Sequence, residues 1–158
     1  MLPVPKTTPA PDVGPKPPFV LDTNILVYAL ESSKDSRCRI AQKKVRSLLA
    51  PDSGGAVPVQ TLAEMYQVMR SKYPDPAIRK KCVDFLDNIV VLRTLPKIYY
   101  TEKTLLQAVR ISEDHDLHLW DCLIMAVMKE NGISRIYTEN VKDFTGVDGI
   151  EAISPFSK

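Results

Sequence analysis

The sequence predicts an α/β fold in which helices cover both faces of a central, mainly parallel sheet. Short apolar runs, typical of buried strands, alternate along the chain with segments whose apolar residues recur at helical spacing. Strands separated by helices need crossover connections, which place successive strands parallel to one another. The 158 residues, 44% hydrophobic and 25% charged, suffice for one domain with one sizeable core. We therefore expect three layers, α/β/α.

The N-terminal half supplies the first elements of this order. A fully apolar run, Phe19-Val20-Leu21, predicts a strand that leads into a short helix at Asp22. Residues 36–50 predict a second helix with one apolar stripe and an opposite basic face. Residues 51–55 break the chain, and Ala56–Val59 predict the next short strand.

The C-terminal half repeats the alternation. Apolar spacing predicts further helices over residues 61–73, 76–88 and 120–130, with another around Leu105–Val109. The β-branched run Ile89–Leu92 predicts a third strand, and residues 133–137 and 150–153 predict two more.

Composition excludes several classes of protein. No apolar run approaches the roughly 18 residues of a membrane helix, and the net charge of +2 is too small to indicate nucleic acid by itself. The three cysteines are an odd number at wide spacing, so we expect reduced thiols. Without an apolar leader at the N-terminus, we expect a cytoplasmic protein.

Seven of the 13 prolines lie within residues 1–18, a composition that favours an extended, solvated chain. We therefore predict a flexible tail over residues 1–18 and a single domain over residues 19–158.

Four acidic residues each follow a predicted strand or open a predicted helix: Asp22, Glu64, Asp121 and Asp143. Each has an ordinary alternative, since Asp22 and Asp121 could cap helices, Glu64 could face solvent and Asp143 could belong to a polar turn. Together they are more informative, because the carboxyl ends of parallel strands form the ligand crevice of such sheets.

Clustered carboxylates repel one another, and a hard divalent cation relieves that repulsion. Ligand sets made only of oxygen select Mg²⁺ or Mn²⁺ over zinc. Such a cation can polarise a phosphodiester and lower the pKa of water, so hydrolysis of a nucleic-acid backbone is the reaction with the best chemical fit.

Four short motifs carry a resemblance to a known family: Val20–Asn24, Gln60–Glu64, Leu119–Ile124 and Tyr137–Phe144. Their order along the chain resembles that of a PIN domain, and the likeness covers about residues 19–156. Within that family the sequence is similar to the small bacterial proteins that include the VapC-type toxins.

The resemblance implies a ribonuclease that depends on Mg²⁺ or Mn²⁺. Asp22, Glu64 and Asp121 would be the core carboxylates, with Thr23 or Asn24 orienting Asp22. Where many relatives carry a fourth acid, two residues after Thr138, this chain has Asn140. We therefore assign the fourth position to Asp143, with Glu139 and Asn140 as lesser candidates. Relatives of this kind form homodimers and are inhibited by a small antitoxin protein.

Charge placement agrees with an RNA partner. The second predicted helix carries the basic residues Arg37, Arg39, Lys43, Lys44 and Arg46, which could hold phosphates or could simply form a solvated face. The departure at Asn140 motivates an alternative: a protein of the same fold that binds RNA or another protein without cutting.

Overall fold

The structure is a computed structural model that describes residues 18–157. Its elements run β1 (Phe19–Leu21), α1 (Thr23–Leu30), α2 (Ser36–Leu49), β2 (Val57–Pro58), α3 (Val59–Lys72), α4 (Pro76–Val91), β3 (Lys97–Ile98), α5 (Glu102–His115), α6 (Leu119–Glu130), β4 (Arg135–Tyr137), a 3₁₀ helix (Val141–Phe144) and β5 (Glu151–Ile153). The predicted tail, apart from Pro18, lies outside the described residues.

All the strand pairs are parallel. β4 pairs with both β1 and β5, and β2 pairs with β3. Two backbone hydrogen bonds join these groups, because the Phe19 N–H donates to the Gly54 carbonyl at 3.3 Å and the Ala56 N–H donates to the Phe19 carbonyl at 2.9 Å. The strands thus form a nearly continuous surface in the order β3-β2-β1-β4-β5, which confirms the predicted parallel sheet.

Side chains from β1 enter the cores on both faces of the sheet. Phe19 and Leu21 lie in a core with residues of α1 to α4, whereas Val20 lies with residues of α5 and α6 in a second core. This alternation follows from the two-residue period of a strand. The three-layer α/β/α prediction is therefore confirmed.

The central part of helix α6 is buried on all sides. Each residue of the apolar run Cys122–Met128 is buried, as a helix without a polar face requires. Within residues 18–157, no helix is both long and apolar enough to cross a membrane. The three cysteines are buried free thiols.

The prediction of a strand at Ile89–Leu92 is wrong. Helix α4 continues through Val91. Ile89 is buried on the same helical face as Cys82, and Leu92, just after the helix, packs partly against the same core. Val90 and Val91 are 72% and 74% exposed, so the β-branched side chains do not form a buried strand. The third strand is instead Lys97–Ile98, whose two residues are too few to show a periodic pattern.

Gly55 lies where β1 approaches β2, and a side chain there has no room. A Cβ at this position would overlap Leu48 Cδ1 and lie 3.2 Å from Phe19 Cζ. Leu48 is itself only 1% exposed. We expect Gly55→Ala to lower the free energy of unfolding by about 1–3 kcal/mol, measured by urea denaturation. In a Leu48→Ala background the same change should cost much less, and an equal cost in both backgrounds would contradict the overlap.

Candidate active site

The carboxyl ends of β1, β2 and β4 surround a crevice of about 310 Å³. Seven of the residues singled out in the sequence line this crevice: Asp22, Thr23, Asn24, Glu64, Asp121, Glu139 and Asn140. The structure thus brings together side chains that are as much as 118 residues apart in the sequence, from position 22 to position 140.

Asp22 is the N-cap of α1 and is only 6% exposed. Its Oδ1 accepts from the Thr23 N–H at 2.7 Å, while its Oδ2 accepts from Asn24 Nδ2 at 2.9 Å and from the Thr138 hydroxyl at 2.7 Å. Burial raises the pKa of Asp22, and these hydrogen bonds partly offset that effect. The capping alternative is therefore part of what Asp22 does, and its carboxylate is held rigidly at the crevice.

The loop after β4 is tied to this carboxylate. Thr138 is fully buried, and its hydroxyl also accepts from the Asn140 N–H at 3.0 Å. Asn24 connects the same loop to α1, because its Oδ1 accepts from the Glu139 N–H at 3.2 Å. Thr138 and Asn24 both position Asp22, and Asn140 contributes its backbone to the same network.

Glu64 stands in the second turn of α3 and is half-buried, so the solvent-facing alternative does not describe it. Its Oε2 accepts from the Thr23 hydroxyl at 2.9 Å, and its Oε1 accepts from Gln60 Nε2 at 2.7 Å. Gln60 Nε2 also donates to the Trp120 carbonyl at 2.9 Å. Thr23 therefore orients Glu64 with its side chain and Asp22 with its backbone.

Asp121 lies in the first turn of α6, but its side chain forms no capping hydrogen bond there and finds no donor among residues 18–157. Burial, and then the charges of Asp22, Asp143 and Glu64, raise the pKa of Asp121 to about 6. A half-buried carboxylate without a donor is costly. The capping alternative is thus not what the structure contains, and the oxygens of Asp121 remain available to a ligand.

Asp143 differs from the other three acids. It is exposed on the 3₁₀ helix and does not line the crevice, yet its charge is among those that raise the pKa of Asp121. It therefore stands at the rim, while Glu139 and Asn140 lie in the lining itself. Glu139 is engaged elsewhere, since it accepts from the Tyr28 hydroxyl at 2.9 Å and pairs with Arg37 at 2.9 Å.

The basic residues of α2 do not line the crevice. Arg37 is neutralised by Asp35 and Glu139, at 2.7 and 2.9 Å, and Lys44 Nζ lies 3.7 Å from the centre of the Tyr137 ring. Arg39, Lys43 and Arg46 are exposed. Of the basic set, these last three keep the most open surface for a phosphate.

Sequence reasoning assigned no role to four polar or charged residues around the crevice: Tyr28, Glu31, Gln60 and Lys72. Gln60 and Lys72 lie one and two helical turns from Glu64 on α3, which is a spacing signal that could have singled them out. Glu31 ends α1 and is buried against Lys72, a contact between two elements that no local pattern contains.

The donor set of the crevice fits a hard cation. Among residues 18–157, no three histidine, cysteine, aspartate or glutamate side chains converge into a ready-made set of ligands. Carboxylates that repel one another stay apart, and Mg²⁺ characteristically retains several waters between itself and its protein ligands. The all-oxygen set and the uncompensated Asp121 suit such a cation better than zinc.

Fold and crevice together define a parallel α/β protein with an acidic site at the carboxyl edge of its sheet. The chain matches the PIN domain family over residues 19–149 and belongs to that family. This confirms the resemblance seen in the four motifs. No curated protein matches the sequence.

Several solved structures share the fold. A toxin-antitoxin complex from Klebsiella pneumoniae contains a chain with 22% identity and a TM-score of 0.59, with 88% of this chain and 98% of that one covered. FitAcB from Neisseria gonorrhoeae has 17% identity, a TM-score of 0.63 and coverages of 87% and 97%. VapC20 from Mycobacterium tuberculosis, a sarcin-ricin loop cleaving toxin, has 17% identity, a TM-score of 0.60 and coverages of 75% and 86%. At these identities the likeness concerns the fold.

Proposed function

We propose that this PIN domain is an endoribonuclease that hydrolyses RNA phosphodiester bonds with Mg²⁺ or Mn²⁺. The observation that carries the proposal is that Asp22, Glu64 and Asp121 line one crevice, where the Asp121 side chain has no hydrogen-bond donor among residues 18–157. VapC20, which shares the fold, is a sarcin-ricin loop cleaving toxin, and this supports the choice of RNA as substrate.

Asp22, Glu64 and Asp121 would hold the cation, and Asp143 would complete the set from the rim. When bound, a divalent cation polarises the phosphodiester and lowers the pKa of water. The chain's own contribution is to fix the ligands in advance. Hydrogen bonds from Thr138 and Asn24 prevent the Asp22 carboxylate from rotating. The Thr23 hydroxyl and Gln60 each donate to one oxygen of Glu64, and together they orient its carboxylate towards the crevice.

Cleavage of total RNA by the purified protein tests this proposal. We expect discrete fragments in the presence of Mg²⁺ or Mn²⁺ and none in EDTA. Uniform degradation that persists in EDTA would indicate a contaminating nuclease. The absence of fragments with either metal would contradict the proposal.

One observation favours a second candidate function, an RNA- or protein-binding module that does not cut. Asn140 lies in the crevice lining where a fourth acid could stand, and Asp143 lies outside that lining. Calorimetric titration with Mg²⁺ and Mn²⁺ separates the candidates. Heat of binding that disappears in Asp121→Asn supports the enzyme, whereas no heat with either metal supports the module.

We further propose that the protein is the toxin of a type II toxin-antitoxin pair of the VapBC kind and acts in the cytoplasm. The similar folds of the Klebsiella pneumoniae toxin-antitoxin complex and of the toxin VapC20 support this role. The partner would be a small antitoxin that covers the crevice. Growth arrest on expression, relieved by the product of a neighbouring small reading frame, is the expected result.

A homodimer is the last part of the proposal. Beside the crevice is a groove of about 660 Å³ whose wall includes Tyr99, Tyr100 and Trp120, which are 65%, 49% and 59% exposed. Large exposed aromatic side chains in one place are typical of an interface. The Trp120 ring lies on the wall of this groove. Light scattering should give a dimer that Tyr100→Asp converts to a monomer.

A further inference from the structure

We propose that Lys72 and Glu31 form a phosphate subsite in the crevice, which binds a phosphate of the RNA strand next to the one that is cut. The inference rests on the proposed nuclease function and adds a substrate contact to it. Its starting point is charge. Of the residues that line the crevice in the described chain, five are acidic and Lys72 is the one basic side chain.

An RNA strand that enters this crevice meets the carboxylates of Asp22, Glu31, Glu64, Asp121 and Glu139. A cation held by the central carboxylates offsets the charge at the scissile phosphate. The phosphates on either side of it would still face carboxylates, and such repulsion is unfavourable unless another cation is close. Lys72 is placed to supply that positive charge.

Glu31 fixes the position of the Lys72 ammonium group. Its carboxylate is only 8% exposed and accepts from Lys72 Nζ at 2.6 Å, while the Lys72 side chain remains 53% exposed. Nζ also lies 5.5 Å from the centre of the Tyr73 ring. An ammonium group has three donors, and Glu31 occupies one of them. Among residues 18–157 the remaining donors have no acceptor within hydrogen-bond distance, so they can bind a phosphate oxygen at a position that Glu31 already fixes.

Geometry along α3 separates this subsite from the metal ligands. Lys72 follows Glu64 by eight residues on the same helix, which corresponds to about 12 Å along the helix axis. We infer that this separation places Lys72 beyond the phosphate that a cation held by Glu64 would contact. It suits a neighbouring phosphate of a strand that runs along α3 and passes Val68, which lines the crevice between them.

Binding of a labelled single-stranded oligoribonucleotide, measured by fluorescence anisotropy in EDTA and again in Ca²⁺, tests the subsite without requiring cleavage. In Lys72→Met, the slope of log Kd against log salt concentration should fall by about 0.7, the value for one lost phosphate contact on a single strand. Lys72→Arg should keep the wild-type slope. Lys80→Met is the matched control, because Lys80 pairs with Asp84 on the exposed face of α4.

Cleavage of an oligoribonucleotide with one neutral methylphosphonate at each position in turn locates the contact. In the wild type, one position beside the cut should lower kcat/KM by about 10-fold, as expected for a lost charged hydrogen bond. With the unmodified oligoribonucleotide, Lys72→Met should already have that lower kcat/KM, and a methylphosphonate at this position should not lower it further. A structural role for the Lys72–Glu31 pair would produce neither result.

Lys72→Met leaves the buried Glu31 carboxylate without its partner and could destabilise the fold. The double variant Glu31→Gln/Lys72→Met removes both charges and keeps the test valid if the single variant fails to fold. An unchanged salt slope together with wild-type sensitivity to every methylphosphonate overturns the subsite. RNA binding with the Lys72-dependent slope but no cleavage in any metal overturns the proposed function and leaves the subsite standing.

Discussion

Asp22→Asn is expected to lower the rate of metal-dependent RNA cleavage by more than about 100-fold, because losing a residue that merely supports a metal ligand already costs 10- to 100-fold. The carboxylate of Asp22 accepts three hydrogen bonds, of which an asparagine oxygen can retain the one from the Thr23 N–H. The amide nitrogen of the new asparagine would instead face the donor Nδ2 of Asn24, so that hydrogen bond would be lost. The variant therefore loses both a negative charge and the orientation of the group that carried it.

A matched control is available on the surface. Asp87 is exposed on α4, away from the crevice lining, so Asp87→Asn removes the same charge from a site with no proposed role. This variant should cleave RNA at the wild-type rate. If Asp22→Asn retained full activity with an intact fold, judged by circular dichroism, Asp22 would not be part of the active site.

Asp121→Asn is expected to make the metal-free protein more stable by about 1–3 kcal/mol near neutral pH. The pKa of Asp121 is about 6 in the folded protein, against an ordinary value of 3.8 in the unfolded chain. Between these values the folded state binds more protons than the unfolded state, so stability falls as the pH rises through this window. Above about pH 6 the full penalty of the ionised carboxylate is present, and the asparagine variant avoids it.

Urea denaturation in EDTA measures this difference. The gain in stability of Asp121→Asn should be complete at about pH 7.5 and should shrink below about pH 4, where the carboxyl of the wild type is protonated in both states. Mg²⁺ should then reverse the order at neutral pH, since it stabilises only the protein that binds it. A gain of the same size at both pH values would show that the carboxylate charge is not the cause.

The layers of the fold were predictable because their signals are local. The apolar run Phe19–Leu21 and the fully apolar Cys122–Met128 each lie within one element, and burial of these segments defines the sheet and the helix packed on it. The strand at Lys97–Ile98 was not predictable. Its two residues pair with β2 through the backbone, and backbone pairing leaves no side-chain pattern in so short a strand.

The candidate site divides in the same way. The positions of Asp22, Glu64 and Asp121 at strand ends or helix starts could be read from the sequence, since each lies beside its own element. Tertiary structure decided which side chains surround those acids. The contacts of Glu64 with Thr23, of Asp22 with Thr138 and of Glu31 with Lys72 join residues 41, 116 and 41 positions apart. Such contacts depend on how the helices pack on the sheet, which no local spacing contains.

By itself, then, the sequence determined the parallel α/β layers and the acidic edge of the sheet, because periodicity and element ends are local properties of the chain. Only the tertiary structure decided that Asp22 is held by hydrogen bonds while Asp121 has no donor in the part of the chain that the structure describes. It also decided that the charge of Arg37 is neutralised by salt bridges to Asp35 and Glu139. Burial and neighbouring charge set the chemistry of a carboxylate, and both exist only after the chain has folded.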